Sequence, residues 1–247
     1  MKKHYSFFIC LFVALSTFLF SCGGGKKSED ANRCKITVTR TEGGKVNSKI
    51  TNTINGYKYV DLGLPSGLKW ATCNVGANNP WEYGGYYAWG ETEEKSNYRW
   101  STYKWYNGRC VTMTKYCANR SDGTVDNKTV LDPEDDVAHV KWGGTWRMPT
   151  MVELYELYTN CTWTWTTQNG VYGCKVTGPN GNSIFLPAAG CRYRTEADSR
   201  GSYSYYWSSS LGSNGNDVAY CLEFCGDRFD WCSTLRYNGQ SVRPVSQ

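Results

Sequence analysis

The sequence predicts an α+β domain in which two helices pack on small twisted antiparallel sheets joined by long loops. Three observations carry this. Short strand-like runs are separated by turn signals, as in Thr162–Thr166, Val171–Thr177 and Ser183–Leu186 around Asn169-Gly170 and Asn180-Gly181. Only two stretches hold helix-start chemistry, Asp132-Pro133-Glu134-Asp135-Asp136 and Thr150-Met151-Val152-Glu153. The 247-residue chain has 11 Trp, 19 Tyr and 26 Gly but only 7 Pro, which suits many turns and short strands.

Lys2, Lys3 and His4 precede the apolar run Tyr5–Phe20, which is too short for a comfortable membrane span. Residues 1–21 are therefore expected to be a signal peptide. Leu19-Phe20-Ser21-Cys22, followed by three glycines, resembles a bacterial lipobox, with Phe20 bulkier than the usual occupant. Cleavage before Cys22 would free its thiol and amine for acylation and make the chain anchored rather than spanning. Residues 22–55 form the lipidated N-terminus, a polar tether through Arg33 and a short strand, Lys35–Arg40. Lys26-Lys27-Ser28-Glu29-Asp30, soon after the lipid site, resembles the export signal of some Bacteroidetes surface lipoproteins. The expected location is the outer membrane, exposed at the cell surface. Removing residues 1–21 lowers the formal charge from +5 to +3, with 25 basic against 22 acidic side chains. That balance is too mild for a nucleic-acid partner.

The main domain is placed at 56–247. Tyr57–Leu62 and Leu68–Thr72 read as strands around the Pro65-Ser66-Gly67 turn, and Gly85–Gly90 as a further strand. Residues 95–130 are polar and aromatic, with turn signals at Asn107-Gly108 and Asp122-Gly123, and predict a long, partly ordered excursion. In the first helix Asp132 caps, Pro133 takes the first position, Val137, Val140 and Trp142 pack, and Gly143-Gly144 ends it. The acidic run lacks the alternating spacing and loop glycine of a calcium site, so helix start is preferred over metal. In the second helix Thr150 and Glu153 form a capping box, Leu154, Leu157 and Tyr158 make the apolar stripe, and Asn160 stops it. Trp163 and Trp165 are assigned to the core.

Ten of the 12 cysteines lie beyond Cys10 and Cys22. Export permits disulfides, and Cys110 and Cys117 suit opposite sides of a hairpin. Without a C-x-x-C pair, and with only His4 and His139, zinc is not expected, and His139 is taken as structural. No metal, cofactor or catalytic residue is assigned.

From Ala219 to Val245 a regular frame surrounds chemically unrelated residues. Tyr220, Leu222 and Phe224 alternate with Cys221, Glu223 and Cys225, the period of a half-buried strand with one face packed and one outward. Trp231, Arg236, Gly239 and Ser241–Val245 continue the frame. The outward set is Cys221, Glu223, Cys225, Gly226, Asp227, Arg228, Phe229, Asp230, Cys232, Ser233, Thr234, Leu235 and Tyr237. A face that tolerates any side chain points to a binding platform rather than to a catalytic centre, and three cysteines there are not expected to be structural. The buried anchors of the frame are expected to include Trp146, Trp207 and Trp231.

The runs YVDLGLPSGLKWATCNVGA (59–77), PWEYGGYYAWGET (80–92), DGTVDNKTVLDPEDDVAHVKWGGTWRMPT (122–150), KVTGPNGNSIFLPAAG (175–190), YWSSSL (206–211) and GQSVRPV (239–245) resemble the Fibrobacter succinogenes major paralogous domain over about Tyr57–Val245. That family is found in Bacteroidetes surface lipoproteins and is similar to C-type lectins, so the resemblance implies a C-type-lectin-like fold. The C-terminal frame further resembles the variable target proteins of diversity-generating retroelements, where adenines of AAC codons are copied at random. Most of the outward set is encodable by codons ending in C, Glu223 being the exception, and no Lys, Gln or Met occurs in it. Cys174 and Cys191 stand where the family pattern has Tyr, and Cys191 with Arg192–Tyr205 begins a first variable segment, making the variable region about 191–238.

The function expected is a surface-displayed, lipid-anchored binding protein whose face at about 221–237 contacts a protein or glycan. Phe229 and Tyr237 would anchor, with Asp227, Arg228 and Asp230 as charge partners, Cys221, Glu223, Cys225, Cys232, Ser233, Thr234 and Leu235 completing the surface, and Trp231 and Arg236 in support. The enzyme alternative is a formylglycine-generating-enzyme-like oxidase using Cys225 and Cys232, disfavoured because no general base stands beside them. A structural or adhesin subunit is a third class. A calcium-dependent lectin ranks low because its acidic and amide motifs are missing.

Overall fold

A computed structural model describes residues 52–108, 112–226 and 228–247, all within one unit, Asn47–Gln247. Asp227, Cys110, the strand expected at Lys35–Arg40, the signal peptide and Cys22 lie outside the described residues. The strands are β1 (Thr53–Ile54), β2 (Tyr57–Asp61), β3 (Lys69–Ala71), β4 (Thr162–Gln168), β5 (Val171–Thr177), β6 (Ser183–Pro187), β7 (Cys191–Tyr193), β8 (Glu196–Asp198), β9 (Ser204–Leu211), β10 (Val218–Cys225), β11 (Arg228–Leu235) and β12 (Val245–Ser246). The helices are α1 (Val137–Trp142) and α2 (Met151–Asn160), which with these small antiparallel sheets makes the fold α+β.

The four sheets run β1-β2-β3-β12, β4-β5-β6, β7-β8 and β11-β10-β9. Strand β12 pairs Val245 with Trp70, so the C-terminal frame closes onto the first sheet. Asn169 and Gly170 both take positive φ, the two-residue hairpin turn their sequence predicts, and set the β4–β5 register Gln168↔Val171. Strand β1 falls inside the stretch 22–55 assigned to the tether and pairs with β2, so the folded part begins before Gly56.

Helix α2 starts as its capping box requires, Thr150 accepting from Glu153 N and Glu153 accepting from Thr150 N. Its Leu154 and Leu157 are buried, but Tyr158 stays partly in solvent. Helix α1 starts later than expected. Asp132 opens a 3-10 turn, Pro133–Asp135, and the true cap is Asp136, which accepts from Ala138 N and His139 N. The shift of frame turns Val140 to solvent while Val137 and Trp142 are buried. His139 bonds the carbonyl of Trp146 through Nδ1, in keeping with a structural role. Carboxylates of Asp132, Glu134 and Asp135 do converge, and the Lys115 ammonium sits among them, 2.6 Å from Asp132 and Asp135 and 3.5 Å from Glu134.

Two expectations fail in the middle of the chain. Gly85–Gly90 is not a strand; it is held by one bridge, Tyr87 to Gln240. The stretch 95–130 is no loose excursion, because Tyr98, Tyr103, Met113, Tyr116 and Cys117 are all buried. It supplies much of one apolar cluster, against Tyr86, Ala189 and Tyr237. Two fully buried arginines lock the frame. Arg243 bonds Asn74 Oδ1 and the carbonyls of Ala71, Thr72 and Phe185, tying the chain end to β3 and β6. Arg236 bonds the Tyr103 hydroxyl and the carbonyls of Lys115, Tyr116 and Asn216, and stacks over Trp89. With their N–H groups satisfied by carbonyls, these guanidiniums act as structural staples.

Candidate binding face

The β9-β10-β11 sheet carries the unpatterned residues. Two residues, Gly226 and Asp227, join β10 to β11, with Gly226 at φ 58°, and the register runs from Cys225↔Arg228 to Val218↔Leu235. Leu222, Phe224, Phe229 and Trp231 belong to or pack against one apolar cluster with Leu154 and Leu157 of α2. Glu223, Cys225, Arg228 and Asp230 fall on the other face by alternation.

The division into a packed and an outward face holds for the outer half of β10 and fails for its inner half. A register irregularity between Ala219 and Cys221 breaks the alternation against β9. The register with β11 stays regular, so Cys221 keeps the face of Glu223, but this end of that face is covered: Cys221 is fully buried in the cluster of Trp207 and Val242, while Tyr220 is half-buried with its hydroxyl on Ser213. Cys221 is also disulfide-bonded to Cys232, its partner across the hairpin. At its inner end β10 is packed on both faces, Ala219 and Cys221 in the cluster of Trp207 and Val242, and Leu222 in that of Leu154 and Leu157.

Other assigned residues divide likewise. Arg228 and Asp230 are exposed; Glu223, Cys225, Phe229, Cys232, Ser233, Thr234 and Leu235 are half-buried. Tyr237, assigned as an exposed anchor, is buried, with its ring edge-on to Trp100 at 4.7 Å. Leu235 packs against the same cluster. Trp146 and Trp207 are fully buried as expected, but Trp231 is only partly so; it meets Tyr155 of α2 at 5.6 Å and Tyr158 at 5.9 Å. Trp163 and Trp165 are half-buried, and Trp163 lies 4.9 Å from Phe229.

A depression of about 460 Å³ is formed by Tyr158, Tyr203, Glu223, Phe224, Cys225, Arg228, Phe229 and Asp230. It joins an aromatic wall to a charged one. Burial, then the facing Asp230 carboxylate, pushes the Glu223 carboxyl above its ordinary range, and a hydrogen bond with Tyr205 opposes the shift. Burial also pushes the Cys191 thiol up to about 11, with Asp198 and Glu223 adding to it. A second depression, of about 480 Å³, is lined by Arg99, Trp100, Tyr193, Arg194 and Tyr237.

Sequence reasoning missed Tyr155, Tyr158, Trp100 and Tyr203 as parts of these surfaces. The spacing of Tyr155 and Tyr158 by three on α2 is a signal that they share a face. The Cys221–Cys232 pair was also legible: a two-residue turn after Cys225 places residues 221 and 232 opposite one another. Cys225, by contrast, is a free thiol, so the Cys225–Cys232 pair of the oxidase alternative is not formed. No protein-family model, curated protein or solved structure matches the chain in comparison searches.

Proposed function

We propose that this chain is a lipid-anchored, surface-displayed ligand-binding module with a C-type-lectin-like fold, whose contact surface is the exposed part of the 221–237 hairpin and its neighbours. The observation that carries the reading is convergence. Residues outside any structural pattern, Tyr193, Arg194, Tyr203, Glu223, Arg228, Phe229 and Asp230, come from two chain segments to line two depressions. Their chemistry is that of adaptable recognition: rigid aromatic rings give contact area at small entropic cost, and Arg, Asp and Glu give polar contacts.

Diversification by a retroelement is part of the proposal, narrowed by burial. Glu223, Cys225, Arg228 and Asp230 can change without emptying a core. Cys221, Leu235 and Tyr237 pack in apolar clusters, so substitutions there carry a stability cost. The genomic test is a near-copy of the DNA encoding 191–245, differing at adenines, beside a reverse transcriptase gene. Finding it supports diversification; its absence removes that part and leaves the binding module to stand on a ligand screen. A protein or glycan captured through Arg228 and Asp230 supports the module, and a screen whose every ligand is insensitive to those residues contradicts it.

A further inference from the structure

A third depression, of about 360 Å³, shares no lining residue with the Glu223–Asp230 face and includes Tyr86, Glu94, Lys95, Tyr98, Arg192 and Arg200. Two guanidiniums enter it with no carboxylate partner among the described residues. Arg200 is fixed in place: its Nε donates to the Tyr86 hydroxyl at 2.8 Å, and its plane lies over the rings of Tyr86 at 5.1 Å and Tyr83 at 5.6 Å. Its two terminal nitrogens have no acceptor among the described residues. Arg192 gives one terminal nitrogen to Thr195 O, and its Nε is buried without any partner. Gly239 permits this arrangement, because a Cβ there would fall 2.5 Å from the Tyr98 ring and 2.9 Å from Arg192 Cβ.

A guanidinium held by its Nε with both terminal nitrogens free, as in Arg200, is pre-organised for a planar anion, and Arg192 adds a second positive charge beside it. Lys95 adds little free charge, being engaged by Glu91 at 2.7 Å and by Thr102 O. Glu94 decides which anion fits. One of its oxygens accepts from Tyr86 N at 2.8 Å, and the other has no hydrogen-bond partner among the described residues. A free carboxylate acceptor beside two guanidiniums repels a phosphate dianion more than a carboxylate monoanion, and it accepts from ligand hydroxyls. The ligand therefore carries one carboxylate and neighbouring hydroxyls, and a volume near the lower end for ligand pockets suits a single sugar ring.

We propose that Arg192 and Arg200 form a recognition pocket for the carboxylate of an acidic sugar, a uronic or sialic acid unit, with Glu94 accepting its hydroxyls. The test is calorimetric titration of the full chain with glucuronate, N-acetylneuraminate, glucose and inorganic phosphate. At least one acidic sugar is expected to bind saturably, with glucose and phosphate weaker by about tenfold or more. Arg200→Gln and Arg192→Gln should each weaken the acidic sugar about tenfold or more with the thermal melt unchanged, and Arg200→Lys, which keeps charge but loses the fork, should not rescue it. Should Arg192→Gln fail to fold, the exposed Arg200 carries the test. Arg228→Gln should leave this binding intact, which separates the pocket from the hairpin face. Failure of both acidic sugars to bind, phosphate binding as tightly, or binding that survives Arg200→Gln overturns the proposal.

Discussion

Cys221 and Cys232 face each other across the β10–β11 hairpin with Cα atoms 5.3 Å apart and are joined by a disulfide. The bond lies where the hairpin enters the core beneath Trp207, four register pairs from the Cys225↔Arg228 end. It anchors the inner half of the hairpin and leaves the outer half, with its exposed charges, to vary.

The disulfide should therefore be structural. Reduction, or Cys232→Ser, is expected to cost about 2–4 kcal/mol, measured by urea unfolding with and without reductant. An unchanged midpoint would show that the inner hairpin is held by packing alone.

Phe224 and Tyr220 should differ although both sit at frame positions. Phe224→Ala empties the cluster it shares with Tyr206 and Leu222 and should cost about 3–5 kcal/mol. Tyr220→Ala removes a half-buried ring bonded to Ser213 and should cost clearly less. Equal costs in denaturant melts would contradict the break in alternation at Ala219–Cys221.

Glu153 links the α2 cap to Arg147. Burial alone raises its carboxyl, but the two-pronged Arg147 bond and Thr150 N hold it below 4.5. A carboxyl depressed by folding stabilises above its unfolded value and loses that contribution as pH falls through its folded value. Glu153→Gln should lower stability at neutral pH by about 1–3 kcal/mol, and the gap from wild type should close on acidification below about pH 4. A gap constant with pH would assign the effect to packing.

Cys22 is proposed as the lipid site. Cys22→Ala should release the chain from the membrane fraction or leave it uncleaved. A mature N-terminus elsewhere with unchanged detergent partitioning would refute acylation.

Local chemistry was the legible part of the fold. Asn169-Gly170 announces its hairpin and Thr150 with Glu153 announces α2, because each signal acts within a few residues. Asp132 misled because the acidic run offers three rival caps, Asp132, Asp135 and Asp136, and the one chosen, Asp136, is selected by a long-range bond from Met148 N. The burial of 95–130 and of Tyr237 was not legible, since both depend on Tyr98, Tyr103 and Trp100 meeting a distant strand end. At the site, Arg228 and Asp230 follow from alternation, whereas the burial of Cys221 depends on the distant Trp207 and Val242 covering its face. Arg192 and Arg200 carry no local signal, and only the packing around Tyr86 and Gly239 brings them together.

The central claim is that the exposed outer hairpin serves recognition and not folding. Its most direct measurement is a thermal melt and a binding assay on one variant in which Glu223, Cys225, Arg228 and Asp230 are replaced together by Ser or Asn. The account predicts a stability change within about 0.5 kcal/mol per site. It also predicts loss of binding to any ligand that a screen of glycans and surface proteins recovers on wild type and whose binding survives Arg200→Gln. A variant that unfolds, or one that keeps the ligand at full affinity, would contradict it.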